Sequence, residues 1–248
     1  MRTRIKMIGV ALLAAGTALL VVAAVMKPAM ERATAQSAQA STAVVAPTAS
    51  GTPTPSSVPT PSSASPTPTP TAATYRFAAV GDAITLADST DFADGQTGST
   101  SWVTYAASPN LVFSGGWAGA GATTAKIAAN VKQLDVDVLV IVAGTNDVTQ
   151  GVAFAQTTTN LDRIVTTVGA RRVVVSAIPP RDADPRPTAD FNASLRKLAI
   201  QRHWAFIDSA AGVRAGDVYA PGMTLDGVRP TKDAAQIIGK AIAGAIPG

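Results

Sequence analysis

The eight residues Val136–Ala143 (VDVLVIVA) restrict the fold more than any other segment of the chain. They are rich in β-branched residues and leave no alternating polar face. That pattern suits a strand covered on both sides, as in the middle of a parallel sheet. Shorter β-rich runs surround it: Arg76–Val80, Leu111–Phe113, Arg172–Ile178 (stopped by Pro179-Pro180) and Ala205–Asp208. Between them lie helical patterns at Ser101–Ala107, Thr123–Leu134, Phe154–Val168, Asp190–Arg202 (Asp190 as N-cap) and Lys232–Ile246. Five strands separated by helices predict an α/β domain with a parallel sheet and right-handed crossovers, doubly wound. Ligand sites in such sheets form beyond the carboxyl ends of the strands. Four places qualify: Gly81–Thr85, Ser114–Thr124, Gly144–Asp147 and the loop before the last helix.

The domain predicted in this way occupies 75–248 of the 248 residues. Before it, residues 1–32 hold Arg2, Arg4 and Lys6 followed by a twenty-residue apolar run, Met7–Met26. At 1.5 Å per residue such a helix spans a bilayer core of about 30 Å. The basic flank keeps the N-terminus in the cytoplasm and sends the rest outside. The expectation is a bacterial membrane anchor with the domain outside, or a secreted domain if the segment is cleaved, with Ala38-Gln39-Ala40 as an A-x-A match. Residues 33–74 (including TPTPSSVPTPSSASPTPTPT) lack the apolar mass that ordering requires and read as a disordered Pro/Ser/Thr/Ala stalk.

Charge excludes one function class. Residues 1–32 carry five Lys/Arg against Glu31, whereas residues 75–248 carry 15 Lys/Arg and 15 Asp. The net +4 therefore sits at the membrane-proximal end, and the neutral domain offers no footprint for nucleic acid. With no cysteine and one histidine, His203, the chain lacks the ligands for a thiolate or His-rich metal site. No cofactor is expected. Gly116, Gly119 and Gly121 fall short of a dinucleotide fingerprint, because the acidic residue due after the next strand is replaced by Gly144. Trp117, beside these glycines, could stack on a sugar ring or simply line a pocket rim.

Gly81-Asp82-Ala83-Ile84-Thr85, Gly119-Ala120-Gly121-Ala122-Thr123-Thr124, Gly144-Thr145-Asn146-Asp147 and Asp226-Gly227-Val228-Arg229-Pro230 are each compatible with plain turn chemistry. In this order they resemble the SGNH (GDSL-type) hydrolase family across residues 75–248, and GGWAGAGATT (115–124) is similar to secreted actinobacterial members. The resemblance implies a three-layer α/β/α sandwich, flavodoxin-like in strand order, with five parallel strands. It assigns the nucleophile position to Ala83, oxyanion donors to the Ala83 N–H, Gly121 and Asn146, the triad acid to Asp226 and the base position to Arg229. Asp82, Thr85 and Asp147 are supporting residues.

Two of these positions break the pattern. Alanine has no hydroxyl, and arginine stays protonated and accepts no proton. The resemblance therefore implies a degenerate ester hydrolase, serving as a cell-envelope ligand-binding or regulatory module. Its ligand would be an acylated glycan, an envelope polymer, a partner protein or a carboxylate. The alternative is a weak or non-standard esterase or acetyl-hydrolase. His203, just before the fifth strand, falls at the amino end of the sheet, away from the expected site.

Overall fold

The computed structural model of the protein describes residues 74–246. The predicted anchor and most of the predicted stalk lie outside the described residues. Among the described residues no helix is long and apolar enough to cross a membrane.

Five strands form one sheet in the order β2-β1-β3-β4-β5, every neighbour parallel. They are β1 (Tyr75–Gly81), β2 (Leu111–Ala118), β3 (Val138–Val142), β4 (Arg172–Ser176) and β5 (Ala205–Ile207). Every residue of β3 is buried, as its apolar run requires. Asp137 stands outside that strand, because its carboxylate accepts from the Arg76 N–H at 2.9 Å and pairs with Arg171. This parallel order is the doubly wound, flavodoxin-like arrangement.

Helices cover both faces. On one side α2 (Trp102–Ala106) and α7 (Lys232–Ala245) place Trp102, Val103, Ile238 and Ile242 against Phe77, Val140 and Val174. On the other, α3 (Thr124–Asn130), α5 (Phe154–Val168) and α6 (Pro185–Gln201) bring Ile127, Leu161, Ile164 and Leu195 onto Val80, Leu139 and Ile141. Single turns α1 (Ala83–Leu86) and α4 (Thr145–Thr149) follow β1 and β3, and a small antiparallel pair, β6 (Arg214–Ala215) and β7 (Val218–Tyr219), precedes the last loop.

Several boundaries differ from the sequence reading. Strand β2 runs on to Ala118 through Ser114-Gly115-Gly116, whose sequence suits a loop, and a register shift opposite Phe77 and Ala79 absorbs the extra residue. Helix α3 stops at Asn130 rather than Leu134. The following segment runs on to the end of α5, where the Leu134 N–H donates to the Val168 carbonyl at 3.2 Å and satisfies a helix-terminal acceptor. Helix α6 begins at Pro185, not Asp190: proline at the first helical position loses no hydrogen bond.

Candidate active site

The first turn after β1 is built around Asp82. As N-cap of α1 it accepts the Ile84 N–H on Oδ1 at 2.9 Å, while Oδ2 accepts from Asn146 Nδ2 at 3.3 Å. The residue is 1% exposed. Burial pushes its carboxyl up to about 6, against the lowering effect of the Ile84 amide and the Thr145 side chain. Ala83 follows as the first residue of α1, so its N–H has no acceptor within the helix. Thr85 is fully buried; its Oγ1 accepts from Trp102 Nε1 at 3.1 Å, and its carbonyl accepts from Ser101 Oγ at 2.7 Å. Gly81 is required here, since a Cβ would lie 2.1 Å from Thr85 Oγ1.

Asn146, in α4, donates through Nδ2 to the Ala122 carbonyl at 2.9 Å as well as to Asp82. Both amide hydrogens are thereby engaged, so Asn146 would have to release one of them to serve an oxyanion. Gly121 is exposed on the turn between β2 and α3. Asp147 belongs to a buried network behind these loops. It accepts from the Thr124 N–H at 2.9 Å, from Thr124 Oγ1, and from Thr157 Oγ1 at 3.0 Å, and Asn160 Nδ2 reaches Thr124 Oγ1 at 3.0 Å. Its role is to tie α4 to α3 and α5.

The loop before α7 is a compact Asx turn. Asp226 Oδ1 accepts from the Val228 and Arg229 N–H groups at 3.1 and 2.8 Å, and Oδ2 accepts from Arg229 Nε at 2.8 Å. The Arg229 amide, with help from the guanidinium, holds the Asp226 carboxyl below the usual range. The loop is moored from behind: the Asp182 N–H donates to the Gly227 carbonyl at 2.9 Å and Tyr219 OH to the Val228 carbonyl at 3.1 Å.

Ala83 and Arg229 line one cleft of about 290 Å³, with Leu86, Ala87, Ala120 and Leu225 as apolar wall. Asp226 stands behind Arg229, and Gly121 and Asn146 lie outside the lining. Asp88 and Ala87 are among the lining residues that no sequence motif marks. Asp88 accepts from the N–H and hydroxyl of both Ser99 and Thr100, the Thr100 hydroxyl above all, and its carboxyl is lowered to about 2. No local pattern links residues eleven and twelve apart in this way. Ala87 has φ 48° and ψ −124°, a strained conformation for a residue with a Cβ. His203 is exposed at φ 57° just before β5, at the amino end of the sheet, far from this cleft in the topology.

With Asp88 and Asp226 against Arg229, the cleft and its immediate backing carry more negative than positive charge. They can present the Ala83 N–H and the Arg229 guanidinium to a carbonyl oxygen. The described lining contains no imidazole, and its one side-chain hydroxyl, on Thr100, donates to the Asp88 carboxylate at 2.6 Å.

Residues 79–237 match the sequence model of the GDSL-like lipase/acylhydrolase family. No curated protein sequence matches the chain significantly. Among solved structures, LAE5, an α/β hydrolase enzyme from the metagenome of Lake Arreo, Spain, is similar at TM-score 0.57 and 19% identity, over 72% of this chain and 99% of its own. A catalytic mutant of Axe2, an acetylxylan esterase from Geobacillus stearothermophilus, is similar at TM-score 0.54 and 17% identity, over 71% and 95%. A lipolytic protein of the G-D-S-L family from Veillonella parvula gives 0.53 and 15%, over 69% and 97%. At these identities the likeness establishes the fold.

Proposed function

The chain belongs to the GDSL-like lipase/acylhydrolase family, and from that premise we propose that it is a member without acyl-transfer chemistry, which binds an acyl ester in the Ala83 cleft and does not turn it over. The observation that carries this reading is that a methyl group and a guanidinium, Ala83 and Arg229, share the cleft where nucleophile and base are due. Acyl transfer needs a nucleophile activated by an adjacent base. In a comparable triad, losing either one costs about 10⁶ in kcat, and losing both costs little more. Asp82 and Thr85 offer no substitute: both are buried, and their oxygens already accept hydrogen bonds from Ile84, Asn146 and Trp102. These contacts favour the binding reading over a weak or non-standard esterase.

The ligand we favour is a neutral acyl group on a hydroxylated carrier, an acylated glycan of the cell envelope. Asp88 and Asp226 oppose a free carboxylate, the Ala83 N–H suits a carbonyl oxygen, and an acetylxylan esterase is among the structural neighbours. The basic flank and apolar run of residues 1–32 support a domain tethered outside a bacterial membrane.

Hydrolysis of p-nitrophenyl acetate tests the loss of chemistry. The full chain is expected to match buffer, and a kcat/KM above about 10⁴ M⁻¹ s⁻¹ would overturn the reading. Ala83→Ser combined with Arg229→His is expected to gain about 10²-fold or more over the parent, the scale of a restored general base. Titration with an acetylated xylo-oligosaccharide tests the ligand: saturable binding that free acetate does not displace supports the acyl ester, and displacement by acetate would point to a carboxylate.

A further inference from the structure

Part of the Ala83 cleft is built where two stretches of chain meet. Asp88, soon after α1, and Thr100, just before α2, both line it. Asp88 Oδ1 accepts from the Thr100 N–H at 2.8 Å and from the Thr100 hydroxyl at 2.6 Å. Oδ2 accepts from the Ser99 N–H at 2.9 Å and from the Ser99 hydroxyl at 3.2 Å. Four donors fill the lone pairs of a carboxylate, so Asp88 has no acceptor site left for a ligand. The close approach depends on Gly98, where a Cβ would meet Asp88 Oδ1 at 2.1 Å. The strained dihedrals of Ala87 immediately precede the clasped residue, and these hydrogen bonds are the surrounding restraint that such strain requires.

The clasp fixes the hydrogen-bonding character of the Thr100 hydroxyl. The Asp88 carboxyl lies at about 2, held down chiefly by that hydroxyl, so it is ionised at neutral pH and can only accept. Thr100 must therefore give its single hydroxyl hydrogen to Asp88, which leaves Oγ1 an acceptor and nothing else. Among the described residues no hydrogen bond donated to Thr100 Oγ1 competes for its lone pairs. A hydroxyl that donates to a carboxylate is also polarised into a stronger acceptor. The segment is held from its own side as well. Thr104 Oγ1 donates to the Gly98 carbonyl at 2.6 Å, Tyr105 OH to the Ser99 carbonyl at 2.8 Å, and Ser101 Oγ to the Thr85 carbonyl at 2.7 Å. Thr100 is thus an acceptor oriented before any ligand arrives.

We propose that Thr100 is a specificity residue of the cleft, reading a free hydroxyl of the ligand beside the acyl ester. On the acyl-ester reading of the same cleft, on which this rests, the ligand narrows to a partly acylated carrier, with an ester and an unmodified hydroxyl on neighbouring carbons. The polar groups of the cleft match that pair. The Ala83 N–H and the Arg229 guanidinium donate to the carbonyl oxygen, and Thr100 Oγ1 accepts from the hydroxyl. All line one cleft of about 290 Å³, so the ester and the hydroxyl must lie close together. A neighbouring hydroxyl that is itself acylated or methylated brings a second acceptor against Thr100, and both oxygens lose hydrogen bonds to water without gaining one. Asp88 is a positioning residue, which acts only through the hydroxyl it orients.

The test is calorimetric titration of the full chain in phosphatidylcholine nanodiscs, with empty nanodiscs as the blank. The probes are methyl 3-O-acetyl-β-xyloside, its 2,4-di-O-methyl ether, and methyl β-xyloside without the ester. Methylating both hydroxyls is expected to raise Kd about fivefold, the scale of one hydrogen bond. Thr100→Val keeps the shape of the side chain and removes the acceptor. It should weaken the acetylated xyloside about fivefold and bring the two esters within about twofold of each other. Thr100→Ser, which keeps a hydroxyl, should retain the discrimination. A merely structural Thr100 would weaken both esters alike and leave their ratio as in the parent, and a steric effect of the methyl groups would persist in Thr100→Val. Should Thr100→Val not fold, Thr100→Ala, which also lacks the acceptor, is read in its place. Equal binding of the two esters by the parent, a ratio that survives loss of the hydroxyl, or a Thr100→Ser variant that behaves like Thr100→Val overturns the proposal and leaves the acyl-ester reading standing. An acetylated xyloside that binds no better than methyl β-xyloside overturns both.

Discussion

Replacing Asp82 by Asn should remove a pH dependence of stability built into the turn after β1. The Asp82 carboxyl is raised from 3.8 to about 6 because the residue is buried, and its two hydrogen-bonding neighbours only partly offset that effect. An acid held above its unfolded value makes the folded state bind more protons than the unfolded state. Stability is then highest below about pH 4, falls as pH rises from 4 to 6, and levels off above. The shift corresponds to about 3 kcal/mol. Asp88, Asp137 and Asp226 are lowered and act in the opposite sense, but only as pH falls below their unfolded values near 4. The interval from pH 7 to 4.5 therefore isolates Asp82 among the shifted carboxyls. Urea unfolding followed by circular dichroism should show the parent gaining a few kcal/mol across that interval and Asp82→Asn gaining almost none. A parent whose stability is flat or falls on acidification to pH 4.5, or a variant that keeps the slope, would refute the reasoning.

Other changes have distinct expected outcomes. Asp147→Ala should cost about 3 kcal/mol in urea unfolding, because it leaves Thr124 and Thr157 donors buried without their acceptor. Ala87→Gly should raise stability by about 1 kcal/mol and lift the melting temperature, since glycine adopts the strained dihedrals of that position freely. Arg229→Ala should change stability by less than about 0.5 kcal/mol, because the Arg229–Asp226 pair is exposed on both sides.

The sheet was legible because its strands are set by composition: the β3 run allows only a doubly covered strand, and helical spacing around it fixes the crossovers. The elements that went unread are those decided by tertiary contact. Ser114-Gly115-Gly116 carries turn residues yet stays in β2, where Ala93 and Ala79 approach Gly115 and Gly116 too closely for a Cβ. Residues 131–134 have helical spacing yet leave the helix to satisfy the end of α5. The site was legible as four loop motifs, since each follows a strand or precedes a helix where topology places ligands. What those motifs do not encode is orientation. Asn146 turns its amide toward Asp82 and Ala122, and Asp88 joins the cleft through bonds to Ser99 and Thr100.

The account rests on the missing hydroxyl and imidazole. Exposure of the full chain to a fluorophosphonate ester, followed by intact-mass measurement, addresses that claim most directly. The parent is predicted to gain no mass, and the Ala83→Ser/Arg229→His variant to gain one phosphonyl group. A stoichiometric adduct on the parent chain would contradict the account.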